Sequence, residues 1–229
     1  MVVKDLDQEE TNIDWILNYY IFNMRYTGPK FKLCRREGVN IFWPAKYNPK
    51  KRRTLPGQHG KMMARLTDYG KLLRNKQLLK RTYMLSERQF KNIVVKIAAK
   101  YSKNHNIDYD KAVSLTLERR LDATLLRAGY ATTIMMARQM VGHGHLMLNG
   151  KKHNIPSYLI NEWDIISIRE RSKNSPLFTE LPVQDGKFST PVWLNVDKST
   201  LELKINNLPD IETINMSADV LKVVEYYAR

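Results

Sequence analysis

The sequence has 229 residues, of which 43% are hydrophobic and 27% are charged, and its formal net charge at pH 7 is +15. This composition is typical of a globular protein rather than a disordered one, and so much positive charge favours a polyanionic partner. A run near the ~18–20 apolar residues of a membrane-spanning helix is absent, and the single cysteine, Cys34, excludes a disulfide framework and a thiolate metal cage.

The positive charge is concentrated in one third of the chain. Residues 25–100 carry a net charge of +18, whereas residues 1–24 carry −4, residues 101–173 carry +4 and residues 174–229 carry −3. RNA phosphates would relieve the repulsion among so many cations. We therefore expect nucleic acid, and no membrane, as the partner.

The first 24 residues are acidic and then apolar. Acids before a helical run suit the positive end of a helix dipole, so we expect a helix around Trp15 and Tyr19. The segment resembles neither a secretory signal nor a transit peptide.

Residues 24–61 are predicted to be irregular because four prolines interrupt them. Basic clusters at Arg35-Arg36 and at residues 50–53 fill the gaps, which is typical of an arm that lies along RNA. Gly57-Gln58-His59-Gly60 closes this arm. Its glycines allow close approach of backbone amides to a phosphate, although an ordinary polar turn is an equal alternative.

Helices are predicted next. Thr67 is a plausible N-cap, and Ser86 to Gln89 fit a capping box followed by apolar residues at helical spacing. Basic residues should give both helices a cationic surface.

Residues 111–173 predict a small module of two helices and an antiparallel sheet. Gly129 should end a helix over residues 111–128, and Asn149-Gly150 is typical of a tight hairpin turn. The other predicted elements are a short helix at 134–141, capped by Thr132 or Thr133 and ended by Gly142, and strands at 145–148, 151–153 and 164–169.

The C-terminal 56 residues give weaker signals. Residues 192–194 and 201–205 are strand-like, and Ser217-Ala218-Asp219 should open a final helix with Val220 and Val224 on its inward side.

We expect no catalytic residues. Glu118 and Asp122 are spaced like a general acid and base, but flanking arginines favour structural salt bridges, whereas a catalytic pair needs a pocket. His143 and His145 supply at most two ligands, and zinc needs three or four. Nucleotide-binding glycine motifs are absent from the sequence. The expected metal and cofactor content is therefore none.

Many short segments, in matching order from about residue 24 to the end, resemble the small-subunit ribosomal protein S-four family, bacterial and organellar type. They include Arg25-Tyr26-Thr27-Gly28-Pro29-Lys30, Leu33-Cys34-Arg35-Arg36-Glu37-Gly38, Leu55-Pro56-Gly57-Gln58-His59-Gly60, Leu85-Ser86-Glu87-Arg88-Gln89-Phe90, Glu118-Arg119-Arg120-Leu121-Asp122, Val141-Gly142-His143-Gly144-His145, Ile155-Pro156-Ser157-Tyr158 and Trp193-Leu194-Asn195-Val196-Asp197.

This resemblance implies an α+β fold: a helical N-terminal domain completed by the C-terminal helix, with an inserted small α/β RNA-binding module. The implied divisions are an N-terminal extension (1–23), the basic arm and helical rRNA-binding domain (24–111), the module (112–173) and a C-terminal segment packing back on the helical domain (174–229).

The resemblance also implies a structural role in the small ribosomal subunit. Family members bind the five-prime domain of small-subunit rRNA, nucleate assembly, lie beside ribosomal protein S-five near the channel through which mRNA enters, and influence decoding accuracy. The ribosome would be in the bacterial cytoplasm or in an organelle, mitochondrion or plastid. Some relatives carry a zinc-binding cysteine cluster, which this chain lacks, and residues 1–23 have no counterpart.

Two alternatives stay open from the sequence: an RNA-modifying enzyme, or a free-standing RNA-binding regulator, carrying a similar module. We expect the N-terminal extension to dock on a neighbouring ribosomal protein or rRNA, or to fold back on its own domain. The candidate RNA-binding residues are Arg25, Tyr26, Lys30, Lys32, Arg35, Arg36, Lys50, Lys51, Arg52, Arg53, Gln58, His59, Lys61, Arg65, Lys71, Arg74, Lys76, Lys80, Arg81, Arg88, Arg119, Arg120, Arg138, His143 and Lys151.

Overall fold

The computed structural model describes residues 26, 28–42, 45–61, 65–179, 190–197, 200–209, 214, 216 and 218–228. The chain divides into two units, Met1–Lys30 and Phe31–Arg229. The predicted N-terminal extension and Arg25 lie outside the described residues.

The described helices and strands alternate in long groups, as in an α+β protein. In chain order they are α1 (Lys30–Glu37), α2 (Asp68–Thr82), α3 (Glu87–Asn92), a π-helical segment (Ile93–Ala98), α4 (Ala99–His105), α5 (Tyr109–Glu118), α6 (Leu121–Arg127), α7 (Ile134–Gly142), β1 (Leu146–Leu148), β2 (Lys151–His153), β3 (Ile165–Ile168), α8 (Glu170–Lys173), α9 (Pro176–Thr179), β4 (Leu194–Asp197), β5 (Glu202–Ile205) and α10 (Val220–Ala228). Short 3-10 turns occupy Ala45–Tyr47 and Pro49–Lys51.

Side-chain caps start the helices where the sequence predicts them. The Thr67 hydroxyl accepts from the Gly70 amide at 3.2 Å, and Thr133 caps α7 in the same way. At α3, the Gln89 amide donates to the Ser86 hydroxyl at 3.2 Å and the Ser86 amide donates back to the Gln89 side chain at 3.3 Å. These bonds satisfy amides that the first helical turn leaves unpaired.

The predicted continuous helix over residues 111–128 is wrong. It is divided into α5 and α6, because Arg120 is extended (φ −67°, ψ 138°) and pairs with Leu159. Before the break, Leu117 packs with the helices; after it, Leu121 and Leu125 pack with the sheet, while Ala123 still packs with the helices. The backbone therefore breaks where the chain begins to contact the second core.

Two apolar cores hold together the part of the fold that the structure describes. The first lies among α2, α3, the π segment and α5, and the C-terminal helix α10 contributes Val220 and Val223 to it. This confirms that the C-terminal helix completes the helical domain. The second core lies between the sheet and helices α6, α7 and α9, with Met140, Ile166 and Phe178 buried in it.

Within the described residues, five strands form one antiparallel sheet in the order β2-β1-β3-β5-β4. The predicted hairpin turn joins β1 to β2, with Asn149 at φ 49° and Gly150 at φ 76°. Both residues have the positive φ that a type I′ turn requires.

The sheet corrects one predicted boundary. Residues 174–229 were expected to pack back on the helices, but β5 pairs with β3, with Ile166 opposite Leu203. This pairing covers an otherwise open edge of β3 and buries Leu203 and Ile205 in the sheet core. From this segment, α10 packs on the helical domain as expected, while β4 and β5 extend the module's sheet.

In the described part of the chain, every helix is too short or too polar to span a bilayer.

Candidate nucleic-acid interface

Among the described residues, the arm presents the most concentrated group of unpaired cations. Lys50, Lys51, Arg52 and Arg53 are all exposed, and their side chains make no ion pair or hydrogen bond with another described residue. The Asn48 side chain accepts from the Lys50 amide at 3.0 Å and fixes the turn that carries them. The four charges are therefore held outward and available to a ligand.

Arg35 anchors the end of this arm. Its guanidinium donates to the Thr54 carbonyl at 2.7 and 2.9 Å and to the Leu55 carbonyl at 2.9 Å. Arg35, which was predicted to bind RNA, therefore attaches the arm to α1.

The Gly57–Gly60 loop is a tight turn whose glycines are both required. Gly57 has φ +113°, and a Cβ on Gly60 would lie 1.9 Å from the Leu55 carbonyl oxygen. The Leu55 amide donates to the Gly60 carbonyl at 3.1 Å and closes the loop. Gln58 and His59 are exposed at its tip, where they can reach a ligand.

The predicted cationic surface of α2 is largely neutralised within the protein. The side chain of Glu37, only 2% exposed, pairs with Arg81 and lies 3.6 Å from Arg74. Burial raises the pKa of Glu37, and the two arginines oppose that rise. These contacts join α1 to α2.

A second acid, Glu87, neutralises two further α2 lysines. Its carboxylate lies 2.6 Å from the Nζ of Lys76 and 2.9 Å from that of Lys80. Lys76 is only 5% exposed, and its ammonium lies 4.4 Å from the ring centroid of Tyr226. The hydroxyl of Tyr227 donates to Glu87 at 2.9 Å. This cluster joins α2, α3 and α10.

The predicted arginines of the module also face inward. Arg119 is buried and donates to the Ile160 carbonyl at 2.9 and 3.0 Å. Arg120 forms two hydrogen bonds, of 3.0 and 2.8 Å, with the buried carboxylate of Asp122. Their charge is used to hold the module together.

Arg138 connects the module to the helical domain. It donates to Asp122 at 2.7 Å and to the carbonyls of Tyr83 and Met84, which follow α2, at 3.0 and 2.8 Å. Because the acceptors lie on both sides of the domain junction, this guanidinium fixes one domain against the other.

The two carboxylates that suggested acid–base chemistry are both structural, as predicted. Glu118 pairs with Arg127 at 2.6 Å and accepts from Tyr83, while Asp122 pairs with Arg120 and Arg138. Burial, with the adjacent Glu118, raises the pKa of Tyr83 well above its ordinary value, so the phenol stays protonated and donates.

The remaining predicted residues lie mostly on the surface. Lys71 is exposed and pairs with Asp68 at 2.9 Å, and Tyr26 and Lys30 are partly exposed. The other exposed ones are Lys32, Arg36, Lys61, Arg65, Arg88, His143 and Lys151.

The helix with the predicted cationic surface after Ser86 carries four exposed lysines that the predicted RNA-binding residues do not include: Lys91, Lys96, Lys100 and Lys103. A signal for them exists in the sequence, because residues 88–107 contain these lysines and Arg88 but no acidic residue. Among the described residues, no group of three or more His, Cys, Asp or Glu side chains could hold a metal ion.

Comparison with known families agrees with this architecture. The family model "Ribosomal protein S4/S9 N-terminal domain" matches residues 25–113, which hold the arm and most of the helical domain. The model "S4 domain" matches residues 119–166, which begin at the break between α5 and α6.

Full-length relatives match as well. Small ribosomal subunit protein uS4 of Petrotoga mobilis is 38% identical over 213 residues, or 90% of this chain and 99% of that protein. The uS4 protein of a Thermoanaerobacter species is 39% identical with the same coverage, and uS4A of Symbiobacterium thermophilum is 38% identical. The family is one of structural ribosomal proteins, not of enzymes. Two family models in the expected order and relatives matched over nearly their whole length show that the chain belongs to the ribosomal protein S4 family.

Proposed function

We propose that this protein is a structural constituent of the small ribosomal subunit that binds small-subunit rRNA by neutralising many phosphates at once. The observation that carries this proposal is the arm, where Lys50, Lys51, Arg52 and Arg53 are exposed and unpaired among the described residues. Each phosphate neutralised releases counter-ions, which makes such binding strong and salt-dependent.

The contacts of the predicted cations divide them into two groups, one that stabilises the fold and one that is exposed to a ligand. Those with acidic or carbonyl partners, such as Arg35, Arg81 and Arg138, hold the scaffold. Exposed residues contact rRNA in this proposal: Lys32, Arg36, Lys50, Lys51, Arg52, Arg53, Gln58, His59, Lys61, Arg65, Arg88, His143 and Lys151. The module then orients the helical domain and its arm on the rRNA, because Arg138 fixes the module to the helical domain.

A salt titration tests this mechanism. About 0.9 counter-ions are released per phosphate, and we expect roughly ten engaged phosphates. A plot of the logarithm of the binding constant for the organism's own small-subunit rRNA against the logarithm of the salt concentration should therefore have a slope of about −9. The arm variant, with Lys51, Arg52 and Arg53 changed to Gln, should reduce that slope by about 3.

A control variant removes three positive charges from lysines that already form ion pairs. Lys111, Lys173 and Lys222 each form an i,i+3 ion pair with an acid, at 2.7–2.8 Å, so changing all three to Gln should leave the slope near that of the wild type. A wild-type slope near zero, or equal slopes for the arm and control variants, would remove the mechanism.

The finer ribosomal role is also part of the proposal. We infer binding to the five-prime domain of small-subunit rRNA early in assembly, a position beside ribosomal protein S-five near the mRNA channel, and residence in a bacterial or organellar ribosome. The support is family membership and bacterial relatives named as small-subunit proteins. Reconstitution with rRNA alone should give a complex protected from nuclease within the five-prime domain. Binding that requires other ribosomal proteins first would contradict early assembly.

A further inference from the structure

We propose that a second surface, on the helix formed by α3, the π segment and α4, binds the phosphates of double-stranded RNA. Its residues, called here the helical strip, are Arg88, Lys91, Lys96, Lys100 and Lys103. The strip is separate in sequence from the arm, and the inference rests on the proposed rRNA-binding function.

The helical strip is charged, exposed and unpaired. All five side chains are exposed, and within the described residues none forms an ion pair or hydrogen bond. No acidic residue occurs between positions 88 and 107, and the acid before them, Glu87, is occupied by Lys76 and Lys80. Five uncompensated charges on one rod of about 20 Å, at 1.5 Å rise per residue, form a strong positive field.

The π segment brings the two halves of the helical strip closer to one face of the helix. Arg88 and Lys91 are three residues apart, Lys96 and Lys100 four, and Lys100 and Lys103 three, which are the spacings of neighbours on one α-helical face. Lys91 and Lys96 are five apart, and in an uninterrupted α-helix they would lie about 140° apart around the axis. The wider i→i+5 turns of Ile93–Ala98, which begin two residues after Lys91, reduce this angular separation.

Packing on the opposite side holds this geometry. Phe90, Ile93, Val94 and Ala98 are buried in the helical core. The Val94 carbonyl accepts from the Tyr109 hydroxyl at 2.5 Å, so α5 contacts the backbone of the π segment directly. The backbone that carries the helical strip is therefore held in place by the protein itself.

RNA fits this surface better than a protein partner does. Lysine is depleted at protein interfaces, whose buried centres are apolar and poor in charge. On the helical strip, four of five cations are lysines, and the apolar residue exposed among them is Val95, at 41%. Double-stranded RNA is recognised largely by shape and by its backbone. A row of cations along one packed helix suits the regular phosphates of a duplex.

The test compares three variants that lose the same charge. The strip variant changes Lys91, Lys96 and Lys100 to Gln; the arm and paired-lysine variants are those described above. Each is titrated with salt against the organism's small-subunit rRNA, against a 20-base-pair RNA duplex of arbitrary sequence, and against a single strand of that length. Circular dichroism and urea unfolding establish that the variants are folded.

For the rRNA and the duplex, the strip variant should reduce the salt slope by about 3, since each lost contact removes about 0.9, while the paired-lysine variant reduces neither. If the strip variant has the same salt slopes as the wild type for both the rRNA and the duplex, the inference about the helical strip is wrong. The proposed function still holds in that case, provided that the wild-type slope for rRNA is steep. A loss confined to the single strand overturns the assignment to duplex RNA. Normal rRNA binding with lost incorporation into subunits identifies a protein partner and also overturns it.

Discussion

Asp122 illustrates how a charged residue in an RNA-binding module can serve the fold alone. Its side chain is 0% exposed and accepts from both Arg120 and Arg138. Removing one partner of a buried ion pair leaves an uncompensated buried charge. Asp122→Asn keeps the shape of the side chain, and we expect it to lower the free energy of unfolding by about 3–5 kcal/mol in urea titrations.

The matched control is Asp108→Asn. Asp108 pairs with Lys111 at 2.8 Å, but its side chain is 69% exposed. Exposed pairs contribute about 0–1 kcal/mol, so this variant should unfold close to the wild-type urea concentration. Equal losses in the two variants would show that the Asp122 network does not hold the domain junction.

The partners of individual cations could not be predicted from the sequence. Arg81 pairs with Glu37 and Arg138 with Asp122 and two carbonyls, and these partners belong to different elements. Composition shows that residues 25–100 are basic, but only the fold shows which charges remain unpaired. The prediction therefore located the basic region, while it included the paired cations of α2 and omitted four of the five cations of the helical strip.

At the scale of elements, Glu87 joins three helices, and its protonation should weaken the joint. Burial opposes its charge, but hydrogen bonds from Lys76, Lys80 and Tyr227 outweigh burial and lower the pKa of Glu87 from its ordinary value of 4.5 to about 2. A pKa depressed in the folded state contributes stability above the unfolded pKa, and that contribution is lost as pH falls through the folded pKa.

Glu87→Gln should therefore destabilise the protein at pH 7, and its difference from the wild type should shrink as pH falls from about 4.5 towards 2. Urea unfolding at several pH values measures this difference. Glu170→Gln is the control, because Glu170 is 84% exposed in its pair with Lys173 and should matter little at any pH. A Glu87→Gln effect that does not change with pH would contradict the depressed pKa.

Elements with local signals were predictable, and those set by distant contacts were not. Thr67, Ser86 and the Asn149-Gly150 turn specify their structures through neighbouring backbone. The break at Arg120 arises because two cores meet there, and the addition of β5 to the module's sheet depends on pairing with β3. The π segment carries apolar residues at the same spacing as the α-helices beside it, so periodicity alone does not reveal it.

At the scale of the whole molecule, the net charge of +15 affects RNA binding through the number of unpaired cations that can contact phosphates at the same time. The arm and the helical strip are both exposed and lie in different segments, 50–53 and 88–103. Counter-ion release depends on the number of phosphates neutralised. If both surfaces engage the same rRNA, their contributions to the salt slope should therefore add.

Combining the arm and strip variants in one protein tests this addition. Six lost contacts at about 0.9 each should reduce the slope for small-subunit rRNA by about 5, roughly twice the effect of either variant alone. The arm variant combined with the paired-lysine variant has the same net charge, yet it should match the arm variant by itself. Neutralising a second set of phosphates necessarily releases a second set of counter-ions. If the variant with all six substitutions reduced the salt slope no more than the arm variant does, the two surfaces would therefore not bind the same rRNA together.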